Sequence, residues 1–226
     1  MDSAPQEHAR QIINLGQTIS IASVIMRELR DETLQTDRIR FRNNVSRLGQ
    51  IAAYEISKTM NFKDVEIDTP LSQATGKEFV SQPVIAPILR AGLPLYEGML
   101  SFFPQADSAF ISAYRKHDQY DGFEIEMTSI SCPNINDRTL IICDPMIATG
   151  QSLLTSIKEI FKLGNPFEVI VASVIASEEG LEFVAEQFPK IPIYTFAIDP
   201  QLNAKSYIVP GLGDAGDLSF GPKIQE

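Results

Sequence analysis

Thr139-Leu-Ile-Ile-Cys143 runs without a break into Asp144-Pro145-Met146-Ile147-Ala148-Thr149-Gly150-Gln151-Ser152, and Leu153, Leu154, Ile157, Ile160 and Phe161 follow at helical spacing. An aliphatic run of strand length, a cluster of turn residues and an amphipathic stripe predict strand, loop and helix in that order. Lys158 and Lys162 lie in the C-terminal half of the helix, where cations suit its dipole. Gly164 and Asn165-Pro166 then stop it. The proline behind Asp144 holds that residue extended, so its carboxylate is expected to project from the strand end. Thr149, Gly150 and Ser152 place hydroxyls and little bulk where the helix begins, and the free N–H groups of a first helical turn attract phosphate. An acid followed by an anion cradle suits a phosphorylated sugar, the carboxylate accepting from hydroxyls while the amides hold the phosphate. An ordinary turn before a capped helix uses the same residue types, so this loop alone leaves both readings open.

The alternation continues on both sides of this unit. Pro83–Ile88, Ser108–Ala113, Glu168–Ala176 and Pro192–Ile198 read as further strands. Pro94 opens a helix carrying Leu95, Met99 and Phe102, and Ser177 caps another in which Leu181, Val184, Ala185 and Phe188 point inward. Upstream, Phe41, Val45, Leu48, Ala52 and Ile56 make an apolar stripe over 36–59, with Arg38, Arg42 and Arg47 off it as a solvated flank. Nearly continuous apolar strands alternating with helices predict an α/β domain whose core of about five mostly parallel strands is flanked by helices. In such sheets ligands bind beyond the carboxyl ends of the strands.

The chain has 226 residues and a charge of 19 − 29 = −10, with 44% apolar residues. No repeat or low-complexity linker divides it, so residues 1–226 read as one domain, with 1–15 expected as a mobile N-terminus. The negative balance argues against a broad phosphate-gripping surface and hence against nucleic-acid partners. No apolar run approaches the ~20 residues of a membrane helix, and Met1–Arg10 lacks the basic and apolar regions of a signal peptide. Cys132 and Cys143 have no C-x-x-C spacing, which suits a reduced compartment. A soluble, cytoplasmic protein without a membrane or nucleic-acid partner is expected, and Asn44-Val45-Ser46 is then a chance glycosylation match.

Three other stretches carry candidate chemistry. Leu89-Arg90-Ala91-Gly92-Leu93 closes one strand and opens a helix; arginine's planar fork suits a pyrophosphate, and glycine lets the backbone approach an oxyanion. Tyr114-Arg115-Lys116-His117 leads to the tight-turn signal Asp121-Gly122, and Phe123, Ile125 and Met127 alternate with polar residues, which predicts a protruding β-hairpin over 114–131. His117 reads as a solvated hairpin residue, and His8 has no role. In Tyr207-Ile208-Val209-Pro210-Gly211-Leu212-Gly213-Asp214-Ala215-Gly216-Asp217 the glycines match G-x-G-x-x-G, but no βαβ unit with an acid ~20 residues on follows. Gly76-Lys77-Glu78 likewise lacks the Ser/Thr of a Walker loop.

Together these motifs resemble the type I phosphoribosyltransferases, and in particular the uracil phosphoribosyltransferases. Asp-Pro-Met-Ile-Ala-Thr-Gly-x-Ser at 144–152 resembles their phosphoribosyl-pyrophosphate loop, with Gln151 where many members have a second glycine. Leu89–Leu93 is similar to their pyrophosphate loop, where a non-proline cis peptide is often found. Tyr207–Asp217 resembles their uracil loop, with Leu218 in place of a commonly basic residue. The resemblance spans residue 36 to the end of the chain. It implies a type I phosphoribosyltransferase-like fold with a small base-binding hood over 199–226, and the reaction of uracil with phosphoribosyl pyrophosphate to give UMP and diphosphate. Arg90, Arg115, Asp144 and Asp214 would be catalytic, and Pro145, Met146, Ile147, Ala148, Thr149, Gly150, Gln151 and Ser152 would complete the sugar-phosphate site. Tyr207, Ile208, Gly213, Asp214 and Ala215 would bind uracil, largely through backbone groups. Mg2+ is expected on the substrate pyrophosphate rather than on protein ligands, and the resemblance further implies GTP binding and a homodimer or higher homo-oligomer. A salvage transferase for another base and a UMP-sensing, RNA-binding regulator are the rival readings. The glycine-rich segment weighs against the first and the net charge of −10 against the second.

Overall fold

Strands and helices interleave along the computed structural model, which describes residues 12–117 and 123–223, with the side chains of 113–117 and 123–128 outside the description. The first half contains β1 (Ile12–Asn14), α1 (Ile21–Arg30), α2 (Arg38–Ser57), β2 (Phe62–Asp68), β3 (Gln73–Phe79), β4 (Val84–Leu89), α3 (Leu93–Phe102), β5 (Asp107–Ser108) and β6 (Phe110–His117). Then come β7 (Phe123–Ser131), β8 (Thr139–Cys143), β9 (Met146–Ile147), α4 (Gln151–Ile160), β10 (Glu168–Ala172), β11 (Ile175–Ser177) and α5 (Glu178–Gln187). The last elements are β12 (Ile193–Thr195), β13 (Ala197–Asp199), β14 (Gln201–Leu202), β15 (Ile208–Val209) and α6 (Ala215–Phe220).

The main sheet has the order β1-β12-β10-β8-β4-β6-β7, with β5 also on β4. Every pairing in it is parallel except β6 with β7. Successive residues of a strand face opposite sides, and each side has its own cover. Ile85, Ile141 and Ile170 pack with Leu29, Leu48 and Leu95 of α1, α2 and α3. Val84, Leu140 and Ile142 pack instead with Leu153, Ile157, Leu181 and Val184 of α4 and α5. The apolar stripe of α2 is buried as its spacing predicts, with Phe41, Val45, Leu48, Ala52 and Ile56 all within the core, and Asp37 caps the helix by accepting from the N–H groups of Ile39 and Arg40. Among the described residues no helix is long and apolar enough to cross a membrane.

Several sequence expectations need correction. Glu168–Ala176 and Pro192–Ile198 do not run as single strands: each breaks after its main-sheet segment and continues as β11 or β13 in a separate parallel sheet ordered β13-β11-β9. The break arises where the N–H groups of Val174 and Ile175 both donate to the Pro145 carbonyl, and that of Phe196 to Val174, which turns the strands out of the main ladder. Ser108–Ala113 is likewise interrupted at Ala109, whose N–H donates to Ile85. Residues 12–14, assigned to a mobile N-terminus, add an edge strand parallel to β12. Helix α1 and the antiparallel β2–β3 hairpin were not anticipated.

β6 and β7 pair antiparallel from Phe110↔Ser131 to His117↔Phe123, with a register shift between Ser112 and Ala113. The Asp121-Gly122 turn, His8 and the side chains of Arg115 and His117 lie outside the described residues.

Candidate functional site

The 144–152 segment is more ordered than a loop. Asp144 extends the β8 ladder by donating its N–H to Ala172 (3.1 Å), and Met146 and Ile147 pair as β9 with Ile175 and Ala176. Ile147 and Ala148 turn their side chains into the core, leaving only backbone groups to face outward. Ser177 binds this segment from behind, donating its Oγ–H to the Ala148 carbonyl and accepting the N–H of Gly180 (2.9 Å). The Asp144 carboxylate does not simply project: Oδ1 accepts the N–H of Met146 (3.2 Å), which stiffens the turn and leaves the side chain half-buried. Gly150 caps α4 at φ +75°, a conformation that favours glycine, and so offers no side chain to the first helical turn. Gln151, in place of the glycine common in the resembled motif, is exposed, and Thr149 and Ser152 are half-buried beside it.

The loop after β4 packs against the end of β8. The Leu89–Arg90 peptide is cis. A Cβ on Gly92 would run into the carbonyl of Cys143 and lie 2.8 Å from that of Ile88, so the absence of a side chain lets the two strand ends meet. Arg90 sends Nη2 to Asp217 Oδ1 (3.3 Å) and to the Gly221 carbonyl (3.2 Å). Its Nε is buried and has no hydrogen-bond partner.

The glycine-rich segment reaches the same place from the C-terminal side. β15 pairs with β14 through Leu202↔Ile208. The Val209–Pro210 peptide is cis, and Gly211 and Gly213 adopt φ +63° and +91°. Asp214 caps α6 by accepting the N–H of Asp217 (2.9 Å), and a Cβ on Gly216 would sit 3.7 Å from that of Ala91. The β4 loop therefore touches both the end of β8 and the start of α6, and three stretches far apart in sequence meet at the carboxyl ends of the strands.

A cavity of about 480 Å3 opens there, lined by Gly213, Asp214, Asp217 and Leu218 together with Arg30, Glu32 and Gln35. Of the residues expected at a base, Gly213 and Asp214 line it, whereas Ile208 and Ala215 are buried in the core and Tyr207 is exposed outside it. Neither Arg90 nor the 144–152 segment lines it: Arg90 reaches its wall by bonding Asp217, and the 89–93 loop packs in turn on Cys143, from which 144–152 departs. Arg30, Glu32 and Gln35 escaped the sequence reading, although Ser20 before Ala22, Ile25, Met26 and Leu29 is a capped helical stripe pointing to that segment.

Electrostatically the cavity wall is tied by one tight pair. Arg30 donates Nη1 and Nη2 to the two oxygens of Asp199, both at 2.7 Å. Burial opposes ionisation of Asp199, but the bonds from Arg30 and from the Gly211 N–H outweigh it and hold the carboxyl below its usual range. The Cys143 thiol, fully buried at the end of β8, is pushed strongly upward by desolvation and then by the neighbouring Asp144, which leaves it a packing residue. Among the described residues there is no group of three His, Cys, Asp or Glu side chains placed to hold a metal ion.

Residues 18–222 match the family model described as uracil phosphoribosyltransferase. A uracil phosphoribosyltransferase of Porphyromonas gingivalis is 43% identical over 95% of this chain and all of that protein. One from Pyrobaculum arsenaticum is 42% identical over 88% of this chain and 94% of that one. Among solved structures, the AQ2163 protein of Aquifex aeolicus superposes with a TM-score of 0.84 and 29% identity, covering 95% of this chain and 100% of that one.

Proposed function

We infer the reaction from one premise: the chain belongs to the uracil phosphoribosyltransferase family. It is a phosphoribosyltransferase that joins uracil N1 to ribose C1′ of phosphoribosyl pyrophosphate, giving UMP and diphosphate. The observation that carries this reading is the packing of the 89–93 loop both on the end of β8, from which 144–152 departs, and on the 211–217 stretch that lines one cavity at the carboxyl end of the sheet.

Each stretch suits one part of the substrates. The first turn of α4, opened by Gly150 without a side-chain cap, supplies N–H groups and the positive end of a dipole for the 5′-phosphate. Asp144 lies next to it for the ribose hydroxyls. Pro145, Met146, Ile147 and Ala148 serve through their backbone and through the rigidity that β9 confers. Arg90 and Arg115 would stabilise the departing diphosphate. The unpartnered Nε of Arg90 is a donor for an oxyanion, and its bond to Asp217 is of a kind that phosphate oxygens replace directly. Gly213 and Asp214 face the cavity in which the base would lie, with Tyr207, Ile208 and Ala215 supporting that turn from outside it.

Charge develops positively on the ribose and negatively on the leaving group, so electrostatic stabilisation rather than a general base carries the step. Mg2+ bound mainly by substrate oxygens and water would need no cage of protein carboxylates. When bound, Mg2+ neutralises part of the diphosphate charge. GTP binding and a homodimer or higher homo-oligomer belong to the same proposal.

The deciding assay is UMP formation from uracil, cytosine and purine bases, each with and without Mg2+. Turnover of uracil alone is expected, with Arg90→Ala and Arg115→Ala lowering turnover more than uracil affinity. Preference for another base would overturn the substrate assignment, and absence of any transfer would overturn the reaction. Sedimentation and rates with added GTP check the assembly and the nucleotide effect.

A further inference from the structure

Helix α1 sends one side chain across the molecule to the glycine-rich segment. Arg30 Nη1 donates to Asp199 Oδ2 and to the Gly211 carbonyl (3.0 Å), while Nη2 donates to Asp199 Oδ1. Asp199 Oδ2 in turn accepts the Gly211 N–H at 2.8 Å. Both polar backbone groups of Gly211 are thus held, one by the carboxylate and one by the guanidinium. The turn itself requires glycine, because φ is +63° and a Cβ would collide with the Ile208 carbonyl, and the carboxylate and guanidinium grip it on both sides. Two residues on, Gly213 lines the cavity with a left-handed backbone of its own.

We propose that Arg30 is a positioning residue for base recognition: by clamping Asp199 and Gly211 into one unit it fixes the backbone of 211–214 at the spacing uracil requires. The inference rests on the proposed uracil reaction and adds to it a determinant outside the three loops. Arginine suits this task because its planar fork spans both carboxylate oxygens while one arm also reaches a carbonyl. Lysine supplies the charge without that geometry. Arg30 touches the backbone of the segment rather than the reacting atoms, so its loss should weaken uracil binding and spare the chemical step.

The test compares wild type, Arg30→Gln, Arg30→Lys and Arg30→Gln/Asp199→Asn by steady-state kinetics, thermal melting and calorimetric titration with uracil in the presence of unreactive diphosphate and ribose 5-phosphate. Arg30→Gln is expected to raise the uracil KM about 10- to 100-fold, the range a charge-assisted hydrogen bond commands. The kcat and the phosphoribosyl-pyrophosphate KM should stay within about threefold, with Arg30→Lys intermediate. The double variant, which removes the stranded carboxylate, should recover most of the melting temperature but keep the high uracil KM. A folded Arg30→Gln enzyme with the wild-type uracil KM would overturn the proposal, as would both KM values and kcat moving in parallel with melting temperature. If Arg30→Gln does not fold, Arg30→Lys carries the same comparison. Wild-type protein that forms no UMP would overturn the reaction reading, and the clamp with it; wild-type turnover with an indifferent Arg30→Gln would overturn the clamp alone.

Discussion

Replacing Gly92 by alanine perturbs the junction between the β4 loop and the end of β8 through a single methyl group. The new Cβ would lie 2.8 Å from the Ile88 carbonyl oxygen and 2.9 Å from the Ile88 nitrogen, and nearer still to the Cys143 carbonyl, where ordinary contact starts at 3.4 Å. The shortfall against Ile88 is 3.4 − 2.8 = 0.6 Å, and relief at Cys143 takes more, on the order of 1 Å of separation between the two strand ends. All three atoms are backbone, so no side chain can swing away. Overpacking of this kind costs about 1–3 kcal/mol. For a domain of this size each kcal/mol lowers Tm by about 2–4 °C, so a drop of roughly 2–12 °C is expected, offset slightly by the smaller backbone entropy of the unfolded alanine chain. The same shift moves Arg90 relative to Asp144, and a displacement near 1 Å can cost about 100-fold in rate. Melting curves and kcat/KM for phosphoribosyl pyrophosphate test this beside Gly76→Ala, whose Cβ would meet only side-chain atoms at 3.6 Å or more on the exposed β2–β3 hairpin. A Gly92→Ala enzyme with wild-type Tm and rate would refute the claim that this contact sets the spacing of the two loops.

Asp144→Asn keeps an oxygen for the Met146 N–H and should therefore fold normally, while the phosphoribosyl-pyrophosphate KM rises about tenfold or more through loss of a charged acceptor; circular dichroism and kinetics check both halves. Leu48→Ala empties a site with no solvent exposure between α2 and the sheet and should cost about 2–5 kcal/mol, read from urea unfolding. Because Asp199 has a lowered pKa when folded, its stabilising effect is complete above the ordinary value near 3.8 and fades as pH falls through the folded value. The Tm gap between wild type and Asp199→Asn should accordingly be wide at pH 7 and shrink below about pH 4; a gap independent of pH would contradict the pairing.

The sheet was legible because its central strands are buried on both faces, so Leu140–Cys143 and Val84–Ile88 read as unbroken apolar runs. What periodicity misses is the point at which a strand changes partners: Val169–Ala176 is apolar but for Ser173, and the bend at Ser173–Val174 is set by the Pro145 carbonyl on another segment. The loops of the site were legible for a related reason, since Gly150, Gly211 and Gly213 mark conformations that other residues avoid. Arg30 was not, because an arginine in an amphipathic helix shows nothing locally of a carboxylate 169 positions away. The β2–β3 hairpin was missed because its strands are mostly exposed and polar.

The bonds from Arg30 to Asp199 and Gly211 have a corollary for biosynthesis. They join positions 169 and 181 residues apart, so a growing polypeptide on the ribosome can complete α1 early yet cannot give its guanidinium a lasting partner until most of the message has been read. Until then the helix waits with an unanswered charge, and fragments truncated before residue 211 would retain the strands of the main sheet but lack a seat for the nucleobase. Competence thus arrives at a late stage of translation, in one closing step.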